Sequence, residues 1–254
     1  MSATQSNISL IEHLSYSSIT TYLTCPASWR FKYVEKIPTY STPDLIFGKA
    51  MHQTIEENIM TQEDLLSIWG RAWNQALEGE QIVWGTDTPE QHFNEGVRIL
   101  SDRAICDALS ELQATEIERK VELRVPGVPV PVIGYIDMID LAGVPGDFKT
   151  SAKSWSADRA TGETQPLFYL AALNQLGEHN HEWTFRHYVI VKTKQPKIDI
   201  FEHKHTPGQV MWLFGMIRHV WEAISRNVYP ENPTTWKCSP AYCDFWGQCR
   251  GKYD

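Results

Sequence analysis

The chain has 254 residues, 42% of them hydrophobic and 21% charged, with a formal net charge of −8, the composition of an ordinary soluble globular protein long enough to build one large core or two small ones. No apolar run approaches the roughly 20 residues that cross a bilayer, and the polar start MSATQSNISLIEHL lacks the basic and apolar regions of a signal peptide. A cytoplasmic protein with reduced thiols and no membrane contact is therefore expected. The negative charge is regional: residues 49–124 carry 15 acidic and 7 basic side chains, and the rest of the chain carries 16 of each. Local basic surfaces thus remain open, at Arg30, Lys32 and Lys36, at Lys192, Lys194 and Lys197, and at Lys237, Arg250 and Lys252.

The first 14 residues read as loosely ordered. SYSSITTYLTCPASWRFKYVEKI predicts a serine-capped helix with Ile19, Tyr22 and Leu23 on one side, a turn near Cys25-Pro26, and a second helix carrying Trp29, Phe31 and Tyr33. Those three aromatics suit core packing, with stacking on unpaired bases as the alternative. A further helix starts near Phe47, and helical patterns occupy 62–78 and 90–113. IERKVELRV then alternates as a half-buried strand, with Arg119 on the apolar register. A hairpin over 132–153, a helix over 164–177, strands FRHYVIVKT and KIDIFEH, and a helix over 207–226 lead to the tail WKCSPAYCDFWGQCRG. That order predicts an α/β core with a large helical elaboration.

The hairpin VIGYIDMIDLAGVPGDFKTSAK carries charge into strands that otherwise look like core. A period of two points Asp147 and Lys149 to one face and Phe148 to the other, while both faces of the preceding strand are largely apolar and shield Asp137. Ionised carboxylates in such a place need a partner, a metal or a shifted pKa. Two close together suggest a cation, and hard oxygen ligands favour magnesium or manganese over zinc. Lys149 then suits charge stabilisation on a phosphate, or orientation and deprotonation of an attacking water. A surface hairpin with an Asp147–Lys149 salt bridge is the alternative.

Two helical pairs stand four residues apart, His52 with Glu56 and Gln165 with Tyr169, and each pair shares a face. Gln165 and Tyr169 can hold the lysine or nucleic acid by hydrogen bonds, or simply be a solvent residue and a core residue. His52 alone reads as an ordinary helical histidine or a ligand. Cys238, Cys243 and Cys249 form a C-x4-C-x5-C cluster that needs a fourth thiolate for zinc or an iron-sulfur cluster. Cys25, at a proline turn, suits that place better than Cys106, which reads as a buried helical cysteine.

In combination these elements resemble the PD-(D/E)XK nuclease superfamily, in the branch that includes the nuclease domains of bacterial RecBCD and AddAB recombination enzymes, CRISPR-adaptation nucleases and phage exonucleases. GKAMHQTIE is similar to the family's G-x-x-x-H helix, GYIDMID and GDFKT to its G-x-x-D and D-x-K elements, and QPLFYL to its Q-x-x-x-Y element. The resemblance implies His52, Asp137, Asp147 and the Phe148 carbonyl as Mg2+ or Mn2+ ligands, Lys149 as the catalytic lysine, and Gln165 and Tyr169 beside the DNA and the active site. It also implies that Cys25, Cys238, Cys243 and Cys249 clasp a 4Fe-4S cluster, with zinc as the alternative. Asp140 lies outside the family pattern and reads as structural, and Glu56 as lying behind the ligands or facing solvent.

The expected fold is a restriction-endonuclease-like α/β core, a central mixed β-sheet flanked by helices, with a helical N-terminal part and a C-terminal cysteine clasp. One nuclease domain over 1–254 is expected, with a helical part over 15–115, a catalytic core over 116–205 and a metal-cluster tail over 206–254. The implied activity is metal-dependent hydrolysis of DNA, as an exonuclease, in recombination, repair or CRISPR-type processing. A recombination, helicase or CRISPR-adaptation protein is the implied partner, and a host-cell cytoplasm the location if a phage encodes the chain. The competing readings are an inactive DNA-binding or assembly module of the same fold, and a zinc-clasped hydrolase of RNA or another phosphodiester.

Overall fold

The computed structural model describes residues 11–253, which fall into two compact units. Of the 14 residues expected to be loosely ordered, 1–10 lie outside the described residues, while Leu14 is buried in a short strand. No helix among the described residues is long and apolar enough to cross a membrane.

The first unit comprises residues up to Thr39, Glu122–Gly134 and Pro207 onward. Strand β1 (Leu14–Ser15) pairs in parallel with Val132 and Ile133. Helix α1 (Tyr16–Thr24) opens on a capping box in which Ser15 and Ser18 satisfy each other's backbone amides, as free N–H groups at a helix start require. Its buried face holds Ile19 and Tyr22, whereas Leu23 turns out to be exposed. Helix α2 (Pro26–Trp29) begins on a proline and runs into a π-helical turn over Arg30–Val34. Trp29 and Phe31 are core residues: Trp29 stacks on Tyr229 with ring centroids 5.7 Å apart, and Phe31 meets Phe245. Core packing therefore wins over base stacking for these two.

The second unit comprises Tyr40–Val121 and Tyr135–Thr206. Helix α3 (Pro43–Thr61) starts with Thr42 accepting from the Leu45 amide, Pro43 in the first turn and Asp44 near the positive end of the dipole. It buries Phe47, Met51 and Ile55 along one face. Helix α4 (Leu65–Leu77), capped by Asp64, buries Ile68, Trp69, Ala72, Trp73 and Ala76, the stripe that a 3.6-residue period produces. The helical pattern over 90–113 proves to be two helices, α5 (Pro89–Leu100) and α6 (Arg103–Ser110), because Asp102 leaves the helix to accept from the Ala104 amide.

The sheet is built from β2 (Ala114–Leu123), β3 (Val132–Asp140), β4 (Pro145–Ser151), β5 (Thr184–Val191) and β6 (Lys197–Lys204). β2 pairs with β3, and the order continues β3-β4-β5-β6, antiparallel at β3-β4 and β5-β6 and parallel at β4-β5. A parallel pair needs a crossover, here made by the short helix α7 (Ala157–Gly162), which sequence periodicity did not suggest, and by α8 (Gln165–Gln175). One face carries Phe148 and Tyr188 into the core with Phe47, Met51 and Trp69. Arg119 on the apolar register of β2 is satisfied by Glu178 and Glu116. Asp140 is structural, as expected: its carboxylate accepts from the Ala142 and Val144 amides across the β3-β4 turn and pairs with Arg186. Helix α9 (Pro207–Ser225) belongs to the first unit and buries Val210, Leu213, Ile217, Val220 and Ile224. The whole is a mixed central sheet flanked by helices, as the α/β expectation had it.

Candidate active site

The registered pairs of β3 and β4 are Met138 with Gly146 and Ile139 with Pro145. One residue further, the same register sets Asp137 opposite Asp147, and there the ladder gives way. The Phe148 amide donates to Asp137 Oδ2 at 2.7 Å rather than to a backbone carbonyl, so a side chain replaces the ladder bond and both acids face one space.

Helix α3 brings the next groups. His52 Nδ1 lies 3.4 Å from Asp137 Oδ2. Glu56, one turn on and 7% exposed, joins them: potential ligand atoms of His52, Glu56 and Asp137 all lie within 4.8 Å of one another. Glu56 was expected behind the ligands or in solvent, and it stands among them instead. Its four-residue spacing from His52 was the available signal.

From β4, Lys149 Nζ approaches Asp147 Oδ2 to 2.5 Å. That buried oxygen has no hydrogen-bond partner of good geometry, so the contact is an ion pair off the hydrogen-bonding direction. Lys149 Nζ also donates to Gln165 Oε1 at 3.1 Å, and Gln165 Nε2 donates to Tyr169 Oη at 2.9 Å. Tyr169 is held by stacking on Phe185, centroids 6.0 Å apart and rings 14° from parallel. His52, Asp137, Asp147, Phe148, Lys149, Gln165 and Tyr169 thus belong to one neighbourhood around β3 and β4.

The electrostatics describe a site with more acid than cation. Burial first, then Glu118 and Asp147, push the Glu56 carboxyl up to about 7. Burial and the facing Asp147 hold Asp137 well above the usual carboxylate range, against the pull of the Phe148 amide and Lys149. Burial drives His52 down to about 4; Asp147 and a hydrogen bond with the Phe148 backbone oppose that. Since that bond favours the charged ring, the ring donates it and the Phe148 carbonyl accepts it. His52 is therefore a neutral imidazole near pH 7, with a lone pair to offer. Burial also works to lower Lys149, but Asp147, then Asp137 and Glu163, outweigh it and keep the ammonium charged. Protons on Glu56 and Asp137 occupy the place that a cation takes in such a donor set. The Glu56 and Asp137 carboxylates and the neutral His52 imidazole, whose potential ligand atoms lie within 4.8 Å of one another, fit a hard divalent ion; Asp147 lies outside that group.

In the first unit Cys25, Cys238, Cys243 and Cys249 line one cavity of about 180 Å³, together with Lys32, Phe31 and Phe245. All are free thiols, and burial raises Cys243 and Cys249 above the ordinary thiol value. Cys106 is elsewhere in the chain, on α6, donating to the Leu100 carbonyl at 3.2 Å, as an ordinary helical cysteine does. The sequence reading overlooked one cluster: His187 on β5 and His203 and His205 at the end of β6 form a buried hydrogen-bonded row, with N···N distances of 3.0 and 2.9 Å.

No curated protein matches the chain in sequence. Among solved structures, a protein from Eubacterium rectale described as "Putative exonuclease" superposes with a TM-score of 0.63 at 10% identity, over 98% of this chain and 91% of that one. The structure of SSO0001 aligns with a TM-score of 0.39 at 15% identity, over 92% and 96% of the two chains. The family model of the PD-(D/E)XK nucleases matches residues 13–250, both units included. With that match, and with acids and a lysine on β3 and β4 beside a histidine of α3, the chain belongs to the PD-(D/E)XK nuclease superfamily.

Proposed function

We propose that the protein is a Mg2+- or Mn2+-dependent deoxyribonuclease, acting as an exonuclease on DNA with free ends in recombination, repair or CRISPR-type processing. The observation that carries this reading is the convergence of Asp137, Asp147 and Lys149 on the space that His52 and Glu56 enter from α3. His52, Asp137, Asp147 and the Phe148 carbonyl, with Glu56 added, are the groups to hold the cation. A bound divalent ion polarises the scissile phosphate and lowers the pKa of water.

The chain's own residues supply the rest. Lys149, kept charged by Asp147 and aimed by Gln165, neutralises charge that develops on the phosphate or orients the attacking water. Gln165 and Tyr169 form a short polar arm beside the lysine, suited to a sugar or phosphate oxygen of the DNA. Near-complete enclosure of Asp147, 2% exposed, strengthens each of these interactions by excluding water.

For the four cysteines we propose a 4Fe-4S cluster, with zinc as the alternative. What supports a shared metal group is that the four thiols line one cavity; soft thiolates suit either guest. We further propose that both units form a single nuclease domain that works in the cytoplasm, with a recombination, helicase or CRISPR-adaptation protein as its partner.

The test is release of label from linear single- and double-stranded DNA marked at either end, in Mg2+, Mn2+ or EDTA, comparing wild type with Lys149→Ala and Asp147→Ala. Metal-dependent shortening from an end, lost in both variants, supports the reading. Anaerobically purified wild type that binds DNA and cuts nothing overturns it in favour of a binding module.

A further inference from the structure

The aromatic residues that sequence reading offered for base stacking, Trp29 and Phe31, are buried. Other rings are not. Trp236, Tyr242 and Tyr253 leave 70, 66 and 81% of their surface to water, although aromatic side chains gain more from burial than almost any other residue. Trp236 and Tyr242 meet edge to face, centroids 5.3 Å apart and planes at 70°, which forms an open notch with one exposed ring face on each side.

Cations accompany these rings. Lys237 Nζ lies 5.5 Å from the centre of Trp236, Lys252 Nζ 4.8 Å from Tyr253, and the Arg250 guanidinium 5.5 Å from Trp246. Among the described residues none of these three cations has a carboxylate within ion-pair distance. Most of the second unit's arginines, Arg71, Arg119 and Arg186 among them, are by contrast held by acids. Lys237, Arg250 and Tyr242 also line the cavity of the four thiols, and the exposed ring faces beside this positive charge complement a chain of flat, stackable groups joined by anions, as an unpaired nucleic-acid strand is. A protein partner with aromatic hot spots would fill the rings but leave the three cations unmatched unless it were acidic.

We propose that Trp236 and Tyr242, with Lys237 and Arg250, form a binding site for the unpaired bases and phosphates of a DNA single strand, located in the first unit and made of residues distinct from the catalytic ones. The proposal deepens the nuclease reading by naming the strand state that the tail holds, and it rests on that reading for the choice of DNA.

The experiment is fluorescence anisotropy with labelled oligothymidylate and with a blunt duplex of equal length, in EDTA so that nothing is cut. The proteins are wild type, Trp236→Ala/Tyr242→Ala, Trp236→Phe/Tyr242→Phe, and Lys237→Ala. Stacking on two rings makes a loss of oligothymidylate affinity of about thirtyfold or more the expected result for the alanine pair, with duplex affinity within about twofold of wild type. The phenylalanine pair keeps π faces and recovers most of the loss. The lysine variant lowers the salt slope by about 0.7. Unchanged oligothymidylate binding in the alanine pair overturns the proposal, as does equal loss on single strand and duplex, or no difference between the alanine and phenylalanine pairs. A wild type that binds oligothymidylate through these rings but never cuts DNA with Mg2+ removes the nuclease reading and keeps this site; one that cuts DNA while the alanine pair binds normally removes this site alone.

Discussion

Gln165 accepts a hydrogen bond from the Lys149 ammonium at 3.1 Å while donating to Tyr169 at 2.9 Å. The lysine, on a long flexible stem, thereby gains a second fixed contact besides Asp147. If Lys149 acts on the reacting phosphate or water, Gln165 is a positioning residue, and a displaced ammonium costs rate more than affinity.

Gln165→Ala is accordingly expected to lower kcat by ten- to a hundredfold, roughly what about 1 Å of misplacement costs, with KM for DNA changed by much less. Tyr169→Phe removes only the anchor of the amide and should cost about tenfold or less. Single-turnover cleavage at saturating DNA, set beside binding in EDTA, checks this. Weakened binding at full kcat would leave Gln165 as the DNA contact proposed above and remove its positioning role.

The hairpin chemistry was legible because strand alternation and the short spacing from Asp147 to Lys149 are local; both survive translation into β4. The proline turn at Cys25 hinted at company for the tail thiols, and the fold does put it on the wall of their cavity. Glu56 was misplaced because the wall that buries it comes from strands far along the chain, and only the tertiary fold brings Asp137 within reach of α3. The histidine row was missed for a related reason. His187 reaches His203 across the β5-β6 ladder, where Phe185 is registered with His203, and a register between strands is not written in either strand alone. The break between α5 and α6 turned on Asp102, whose capping competes with helix continuation at nearly equal energy.

The raised Glu56 carboxyl sets a pH dependence. Its folded pKa of about 7 exceeds the unfolded value of 4.5, so between those limits the native state binds more protons than the unfolded one. The associated stability is complete below the unfolded value and is lost as pH rises through about 7, by at most about 3 kcal/mol. A divalent ion that replaces the proton should reverse the trend. The rise in Tm on adding Mg2+ is expected to be larger near pH 8 than near pH 5, and Glu56→Gln should raise metal-free stability at the higher pH while weakening metal affinity. Calorimetry with and without EDTA checks both; an equal Mg2+ effect at the two pH values, unchanged by Glu56→Gln, removes Glu56 from the metal site.

The histidine row predicts the opposite slope. Burial first, then the neighbouring histidines, hold His187 and His203 down to about 4, against the pull of Asp147 on His187, whereas an unfolded imidazole takes its proton near 6.5. Through that interval the unfolded chain binds more protons, so stability is complete above about pH 6.5 and declines as pH falls towards about 4, by at most about 3 kcal/mol for each ring. The two rings share a hydrogen bond, so their effects sum to less than twice one. His203→Phe should cost roughly 1–3 kcal/mol at neutral pH, by removing the hydrogen bonds that His203 makes with His187 and His205, yet reduce the further loss on acidification. Urea midpoints near pH 7 and near pH 5 decide it: equal acid sensitivity in wild type and variant would show that the row carries no proton linkage.

The cysteine clasp makes a claim about folding that is separate from catalysis. The tail after α9 contains turns and one short 3-10 helix at Arg250–Tyr253, and the core around its thiols is small, with Phe31, Phe245 and Ala27 buried. So small an apolar cluster offsets little of the ordering entropy of such a tail, at about 1–2 kcal/mol per residue, and a cluster or metal bound there, as proposed, would make up the difference by coupling its binding to folding. Cys243→Ser should therefore remove the visible absorption of an iron-sulfur cluster, or the stoichiometric zinc if zinc is bound, and open residues 226–253 to proteolysis. Cys106→Ser, whose sulfur only donates to a helix carbonyl, should keep the metal content and change stability by about 1 kcal/mol. Limited proteolysis with mass spectrometry and metal analysis, performed anaerobically, reads both effects. A Cys243→Ser protein with an intact, protease-resistant tail and no change in metal would show that packing alone holds the tail, and the clasp would have to be abandoned.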